Sequence, residues 1–177
     1  MSENDGQYLD AFAAWLSKLG EDAEQLSSVL GNEEVPPVAR QAVAGGLNYL
    51  FKSLDLIPDG IDDIGYLDDS FVLRVAARHA LDAGSGEPVL ARLGAEAQLV
   101  QGFLGENYPR LDRYVSGLRT GAARGRTVQE ILASEKTLED FSGDVKNFAG
   151  TYSAPAFSRD PKSLIKLSAF FDAKLPK

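Results

Sequence analysis

Carboxylates are the residues best able to do chemistry in this chain, and they are concentrated in one place. From Asp55 to Asp69 the sequence DLIPDGIDDIGYLDD holds six aspartates, two glycines, one proline and no basic residue. Asp55, Asp59, Asp68 and Asp69 are the candidates for a divalent-cation site, since Mg²⁺, Mn²⁺ or Ca²⁺ needs only a few carboxylates and waters. A calcium loop begun at Asp55 places Asp59, Gly60 and Asp63 in register. It fails at Ile57 and at Tyr66, where that motif needs an oxygen ligand and its bidentate glutamate. No metal and no cofactor is therefore expected, and the acids are assigned to the fold. Asp59 would cap a short segment from Gly60 to Ile64, and Gly65 would supply the permissive turn that ends it. Asp68 would be the N-cap of the next helix, with Leu67 stapled to Val72 and Asp69 favourable against the helix dipole. Salt bridges to Lys52, Arg74 or Arg78 would take the remaining charge.

Two other places hold reactive or charged groups. His79 is the only histidine and falls on an apolar stripe with Val72, Val75 and Ala76, so a packed, hydrogen-bonded core role is expected. A general base needs a positioned partner, and none is visible in the sequence. The segment RLDRYVSGLRTGAARGR carries five arginines and one acid. Its Arg119, Arg124 and Arg126 are the candidates for an anion site, against the plainer reading of a helix end followed by a flexible loop. With no cysteine in the chain, disulfides, thiolate zinc sites and cysteine nucleophiles are excluded.

The elements that must position these groups read with helical period throughout. Leu9, Phe12, Leu16 and Leu19 make one stripe ending at Gly20, and Ala23, Leu26, Val29 and Leu30 make a short second one. Gly31 stands where a left-handed C-terminal residue belongs. Pro37 suits a first helical turn, and the helix it opens buries Val43, Leu47 and Leu50, with Gly45 and Gly46 allowing a close neighbour. After the aspartates, FVLRVAARHALD leaves only Ser70, Arg74, Arg78 and Asp82 as a narrow polar stripe. A helix apolar nearly all round belongs at the centre of a bundle. Further helices carry Leu90 to Leu104, Leu111 to Leu118, Val128 to Leu132, Leu138 to Phe148, and Leu164 to Phe171. Thr127 with Glu130 and Thr137 with Asp140 have capping-box spacing, and Asp160-Pro161 opens the last helix. The expected fold is all-α: a compact multi-helix bundle with a nearly all-apolar central helix after the Asp-rich loop. One helical domain over 1–177 is expected, with AGSGEP at 83–88 as its candidate linker and residues 89–177 as a C-terminal extension.

Charge narrows the function classes. The net charge is −8, which argues against nucleic acid, because phosphate affinity comes from lysine and arginine. Residues 1–70 hold 14 acids and 3 bases, while residues 142–177 hold 3 acids and 6 bases. An acidic head and a basic tail can attract each other, within one molecule or between two. The start lacks the basic flank and apolar run of a secretory signal, and no run approaches the ~20 apolar residues of a membrane span. A cytoplasmic protein without membrane contact is expected.

Residues 49–69, Y-L-F-K-S-L-D-L-I-P-D-G-I-D-D-I-G-Y-L-D-D, resemble the signature of the YkvA-like family, a bacterial domain of unknown function. Its pattern runs Y-x-x-S-P-x-D-L-I-P-D-x-I-P-x-x-G-x-x-D-D. Tyr49, Asp55, Leu56, Ile57, Pro58, Asp59, Ile61, Gly65, Asp68 and Asp69 match in register, while Ser53 and Asp62 replace the two other prolines. With flanking helices the resemblance covers about residues 35–82. It implies a small helical domain and no established activity.

Two functions follow as expectations. The first is a non-enzymatic helical interaction module whose acidic loop, with Tyr49, Asp55, Pro58, Asp59, Gly65, Asp68 and Asp69, meets a protein partner or a second copy. The second is a divalent-metal-dependent hydrolase or ligand-binding protein using the same aspartates. They differ in what the carboxylates face. In the first they accept backbone N–H groups and arginines; in the second at least three converge on one point.

Overall fold

The computed structural model describes residues 2–53, 55–61 and 63–177. Met1, Leu54 and Asp62 lie outside these, and with Asp62 one of the two departures from the YkvA-like pattern. Among the described residues the helices are α1 (Glu3–Leu30), α2 (Pro37–Tyr49), α3 (Leu67–Asp82), α4 (Pro88–Leu104), α5 (Tyr108–Gly117), α6 (Val128–Ile131), α7 (Glu135–Thr151) and α8 (Pro161–Lys174). Short 3-10 turns at Gly105–Asn107 and Leu118–Thr120 flank α5. The all-α assignment holds, with one small exception. β1 (Ala122–Ala123) and β2 (Arg126–Thr127) pair antiparallel, Ala122 opposite Thr127 and Ala123 opposite Arg126. Arg124 and Gly125 between them both have positive φ, the geometry of a tight hairpin turn. Strands of two residues are too short to show a period of two, so the segment reads as loop.

Side chains three and four apart form the buried faces as expected. In α4 these are Leu90, Leu93, Ala97, Val100 and Leu104; in α8, Leu164, Leu167 and Phe171. α3 is buried on nearly all sides and packs against α1, α2, α4 and α5. The expected polar stripe is itself partly interior: Ser70 and Arg74 are fully buried. Arg74 lies over the Trp15 ring at 4.1 Å and binds Asp22 at 3.2 Å and Glu96 at 2.7 Å. Arg92 reaches the other oxygen of Asp22 at 2.8 Å. Phe71 stacks on Phe171 with centroids 5.1 Å apart, joining α8 to the core beneath Phe12 and Trp15.

Several boundaries move for identifiable reasons. α1 does not stop at Gly20 but continues as 28 residues. A Cβ on Gly20 would lie 3.2 Å from the backbone of Ala149, so this glycine is where α7 crosses closely. Gly31 ends α1 in the right-handed region, at φ −86° and ψ −3°. Gly45 and Gly46 admit their neighbours as expected, the first against Leu118 and the second against Ala76 of α3. Thr127 caps α6 through the Glu130 N–H, but Ser134, not Thr137, caps α7, with Thr137 as its box partner. Head and tail do attract within the molecule: Arg159 pairs with Asp10, and Lys166 with Asp63, each at 2.8 Å. Among the described residues no helix is long and apolar enough to cross a membrane.

Candidate functional site

The loop between α2 and α3 turns where its prolyl and glycyl residues require. Ile61 donates its N–H to the Pro58 carbonyl at 3.1 Å, and Gly65 to the Ile61 carbonyl at 2.8 Å. The expected short helix from Gly60 to Ile64 is thus a pair of hydrogen-bonded turns. A Cβ on Gly65 would sit 2.4 Å from the Asp59 carbonyl oxygen and 2.8 Å from that of Ile61. Close approach, not a left-handed backbone, is what this glycine supplies. Gly65→Ala should therefore spread the loop and cost about 1–3 kcal/mol, as overpacking does; urea unfolding measures it, and an unchanged midpoint would show that the turn yields freely.

Tyr66 follows at φ +68° and is the N-cap of α3, without a side-chain cap. An aromatic residue in the left-handed region is a strained choice. This corrects the capping assignment: Asp68 and Asp69 lie inside the first turn of α3, and the start shifted by Tyr66 moves Leu67 into the helix as well. Both carboxylates are turned into the protein and buried. Asp68 Oδ2 accepts the Tyr49 hydroxyl at 2.5 Å and the Ile57 N–H at 3.2 Å, while the Leu56 N–H donates to the Tyr49 oxygen at 2.7 Å. Asp68 Oδ1, Asp69 Oδ2 and Asp55 Oδ1 are buried with no hydrogen-bond partner.

Asp59, at the surface, completes the group. One oxygen each from Asp59, Asp68 and Asp69 lie within 4.8 Å of one another, a spacing a single cation with ligands at 2.0–2.6 Å can span. Among the described residues no salt bridge reaches these three or Asp55. The expected cations are engaged elsewhere: Arg74 with Asp22 and Glu96, Arg78 with Asp82, and Lys52 with the Tyr114 hydroxyl.

Crowding and burial raise the carboxylates of this cluster above their ordinary range. Burial, then the charges of Asp68 and Asp59, pushes Asp55 up to about 8. Burial raises Asp68 to about 6, against the lowering effect of the Tyr49 and Ile57 hydrogen bonds. Asp69 is raised well above the ordinary range by burial and by its three acidic neighbours, and Asp59, although exposed as a residue, is raised chiefly by desolvation of its carboxyl. Tyr49, Tyr66, Tyr114 and Tyr152 are all raised too, by burial first and then by the aspartates. Phenols therefore stay neutral around the acids. Asp59 and Tyr66 open onto a surface pocket of about 360 Å³ that Arg124 and Asn147 also line.

The remaining candidates disperse. Arg119 lines a different pocket. Arg124, at the hairpin tip, lies over the Phe51 ring at 5.2 Å, and Arg126 pairs with Asp144 at 2.9 Å while lying over Phe141. They do not form one anion site. His79 gains a partner from α5 that its own neighbourhood does not announce: Nε2 lies 2.7 Å from Asp112 Oδ1. Tyr66 and Tyr152 were missed as site residues. Their rings meet edge to face at 5.2 Å, a contact across a long sequence separation that no local pattern carries.

A family model described as a protein of unknown function (DUF1232) matches residues 39–74. That stretch takes in most of α2, the loop and the first half of α3, and so Tyr49 and all four clustered aspartates. No curated protein and no solved structure matches the chain.

Proposed function

We propose that this chain binds a divalent cation through Asp59, Asp68 and Asp69, with Asp55 beside them, and presents it to a ligand or substrate in the pocket above. One observation carries the reading: an oxygen each from exposed Asp59 and from buried Asp68 and Asp69 lie at a spacing that fits one ion, and Asp68 and Asp69 each hold a buried oxygen without a partner. The donors are all hard oxygen, with no histidine or cysteine among them, which favours Mg²⁺, Mn²⁺ or Ca²⁺. Protein ligands on one side and a pocket on the other leave positions for water and a guest. Such an ion acts as a Lewis acid, and metal-assisted hydrolysis is the reaction class that fits an open site of this kind. Tyr49 is a positioning residue, since its hydroxyl fixes the Asp68 carboxylate.

The alternative, an acidic docking surface for a protein partner or a second copy, draws less support. Of its acids, Asp68 and Asp69 are interior and offer a partner nothing to touch. Kinship with YkvA-like proteins is part of the proposal and rests on Tyr49, Asp55, Pro58, Asp59, Gly65, Asp68 and Asp69, the residues that build the site. So are a single domain over the chain and a cytoplasmic location.

Calorimetric titration with Mn²⁺ tests the reading. One ion should bind per chain, and Asp69→Asn should weaken it by at least the roughly 10–100-fold seen when even an outer-shell partner is lost. Asp63→Asn should bind as the parent does, because Asp63 is held by Lys166 at the surface. Equal affinity in the parent and in Asp69→Asn would return the cluster to a purely structural role.

A further inference from the structure

A separate pocket opens where the start of α2, the Leu118–Thr120 turn and α6 meet. It measures about 660 Å³, and both Arg40 and Arg119 line it. Each of these arginines holds a buried Nε with no hydrogen-bond partner. Among the described residues neither forms a salt bridge. No acidic side chain is among the lining residues, although the chain as a whole is at −8. Arg40 is the sole lysine or arginine between Lys18 and Lys52, so its meeting with Arg119 in one pocket is not a by-product of a basic surface. Elsewhere the protein's partly buried guanidinium groups find carboxylates, as Arg74, Arg110 and Arg126 do; these two do not.

Other features of the pocket agree in sign and shape. Pro37 opens α2 at its rim, and the preceding Pro36 provides no side-chain cap. The first turn of α2 therefore adds the positive end of a helix dipole. Val128 and Leu132 supply apolar wall, and Thr120 and Gln129 supply neutral hydrogen-bonding groups. The volume is in the range of small-molecule sites, ~300–1,000 Å³.

We infer that this pocket binds a small molecule with a phosphate monoester head and a short apolar body. Two guanidinium groups without counter-charge match a dianion better than a monoanion. Their planar forks suit phosphate oxygens, and the apolar wall takes the rest of the molecule. The inference does not depend on the cation site, with which the pocket shares no lining residue.

Calorimetric titration of the full chain with hexyl phosphate is the test. Saturable binding at one site per chain is expected. Arg40→Gln and Arg119→Gln should each weaken it by about 10–100-fold, the loss of one charge-assisted hydrogen bond. Arg113→Gln, on another face, should leave it unchanged. Heptanoate, with one charge, and inorganic phosphate, with no apolar body, should each bind at least about tenfold more weakly. Melting each variant without ligand verifies its fold, and Arg40→Lys or Arg119→Lys, which keeps the charge and loses the fork, replaces the glutamine variant at the same position if that one fails to fold. The inference is overturned by absence of saturation in the millimolar range, or by affinity indifferent to both arginines. Heptanoate or inorganic phosphate binding as tightly as hexyl phosphate would equally overturn it.

Discussion

In the presence of a chelator, the protein should lose stability steadily as pH rises from about 4 to about 8, and a divalent cation should restore it. Unfolded aspartates titrate near 3.8, whereas the folded values reach about 6 for Asp68 and about 8 for Asp55, with Asp69 also raised. Between those limits the folded state binds more protons than the unfolded chain, so stability falls with increasing pH. Below about 4 both states are protonated and the cluster has no such effect. A cation replaces the protons, so its benefit grows across the same window. With micromolar affinity and 1 mM free ion it amounts to about 4 kcal/mol through linkage. For a chain of this length that is a rise of roughly 10 °C in melting temperature near pH 8. Melting curves with Mg²⁺, Mn²⁺ or Ca²⁺ against matched monovalent salt decide the matter, because screening of an acidic surface acts alike for equal ionic strength. Superimposed curves in cation and chelator at pH 8 would remove the cation from the account.

Arg74→Met should be the most damaging single change outside the site, costing about 3–5 kcal/mol in urea unfolding, because it leaves the buried Asp22 carboxylate with one of its two cationic partners and one oxygen uncompensated. Asp22 has its oxygens divided between Arg74 and Arg92, and is itself almost fully buried. The substitution also removes the cation from the Trp15 face and the donor to the Ser70 carbonyl. If the cost is desolvated charge and not lost packing, Arg74→Met combined with Asp22→Leu should recover much of it, as replacement of whole buried ion pairs does elsewhere. A double variant as unstable as the sum of two single losses would point to packing.

What could be read without coordinates depended on how locally each feature is encoded. Leu90, Leu93, Ala97, Val100 and Leu104 announce one face of α4 because helical spacing brings them together within that helix. Asp160 and Thr127 cap as expected because a cap involves residues two or three apart. Asp68 misled for the same reason: its spacing is that of a cap, but the left-handed Tyr66 starts α3 two residues earlier. Nothing in an aromatic residue advertises that conformation. The convergence of Asp59 on Asp68 and Asp69 depends on the loop folding back beneath Gly65. Arg74 meets Asp22 and Glu96 from α1 and α4, and Arg40 and Arg119, far apart in sequence, line one pocket; such convergences are settled by tertiary packing and leave no periodic trace.

The stacking of Phe171 on Phe71 has a consequence for the nascent chain. α8 leaves the ribosome after every other described helix, and it completes the cluster containing Phe12, Trp15 and Phe71 from α1 and α3. α1 is made before the other described helices, yet two of its neighbours, α7 and α8, are made after the rest of them. Until α8 emerges the aromatic face of α1 lacks that cover. Exposed apolar surface of that kind is what draws holding chaperones and drives premature association. Pairing helices so far apart in sequence also raises the contact order, which slows folding relative to bundles joined only by adjacent helices. A stop codon just before α8 would thus yield a chain whose fault is an open aromatic face, and its fate would be set by proteolysis and aggregation.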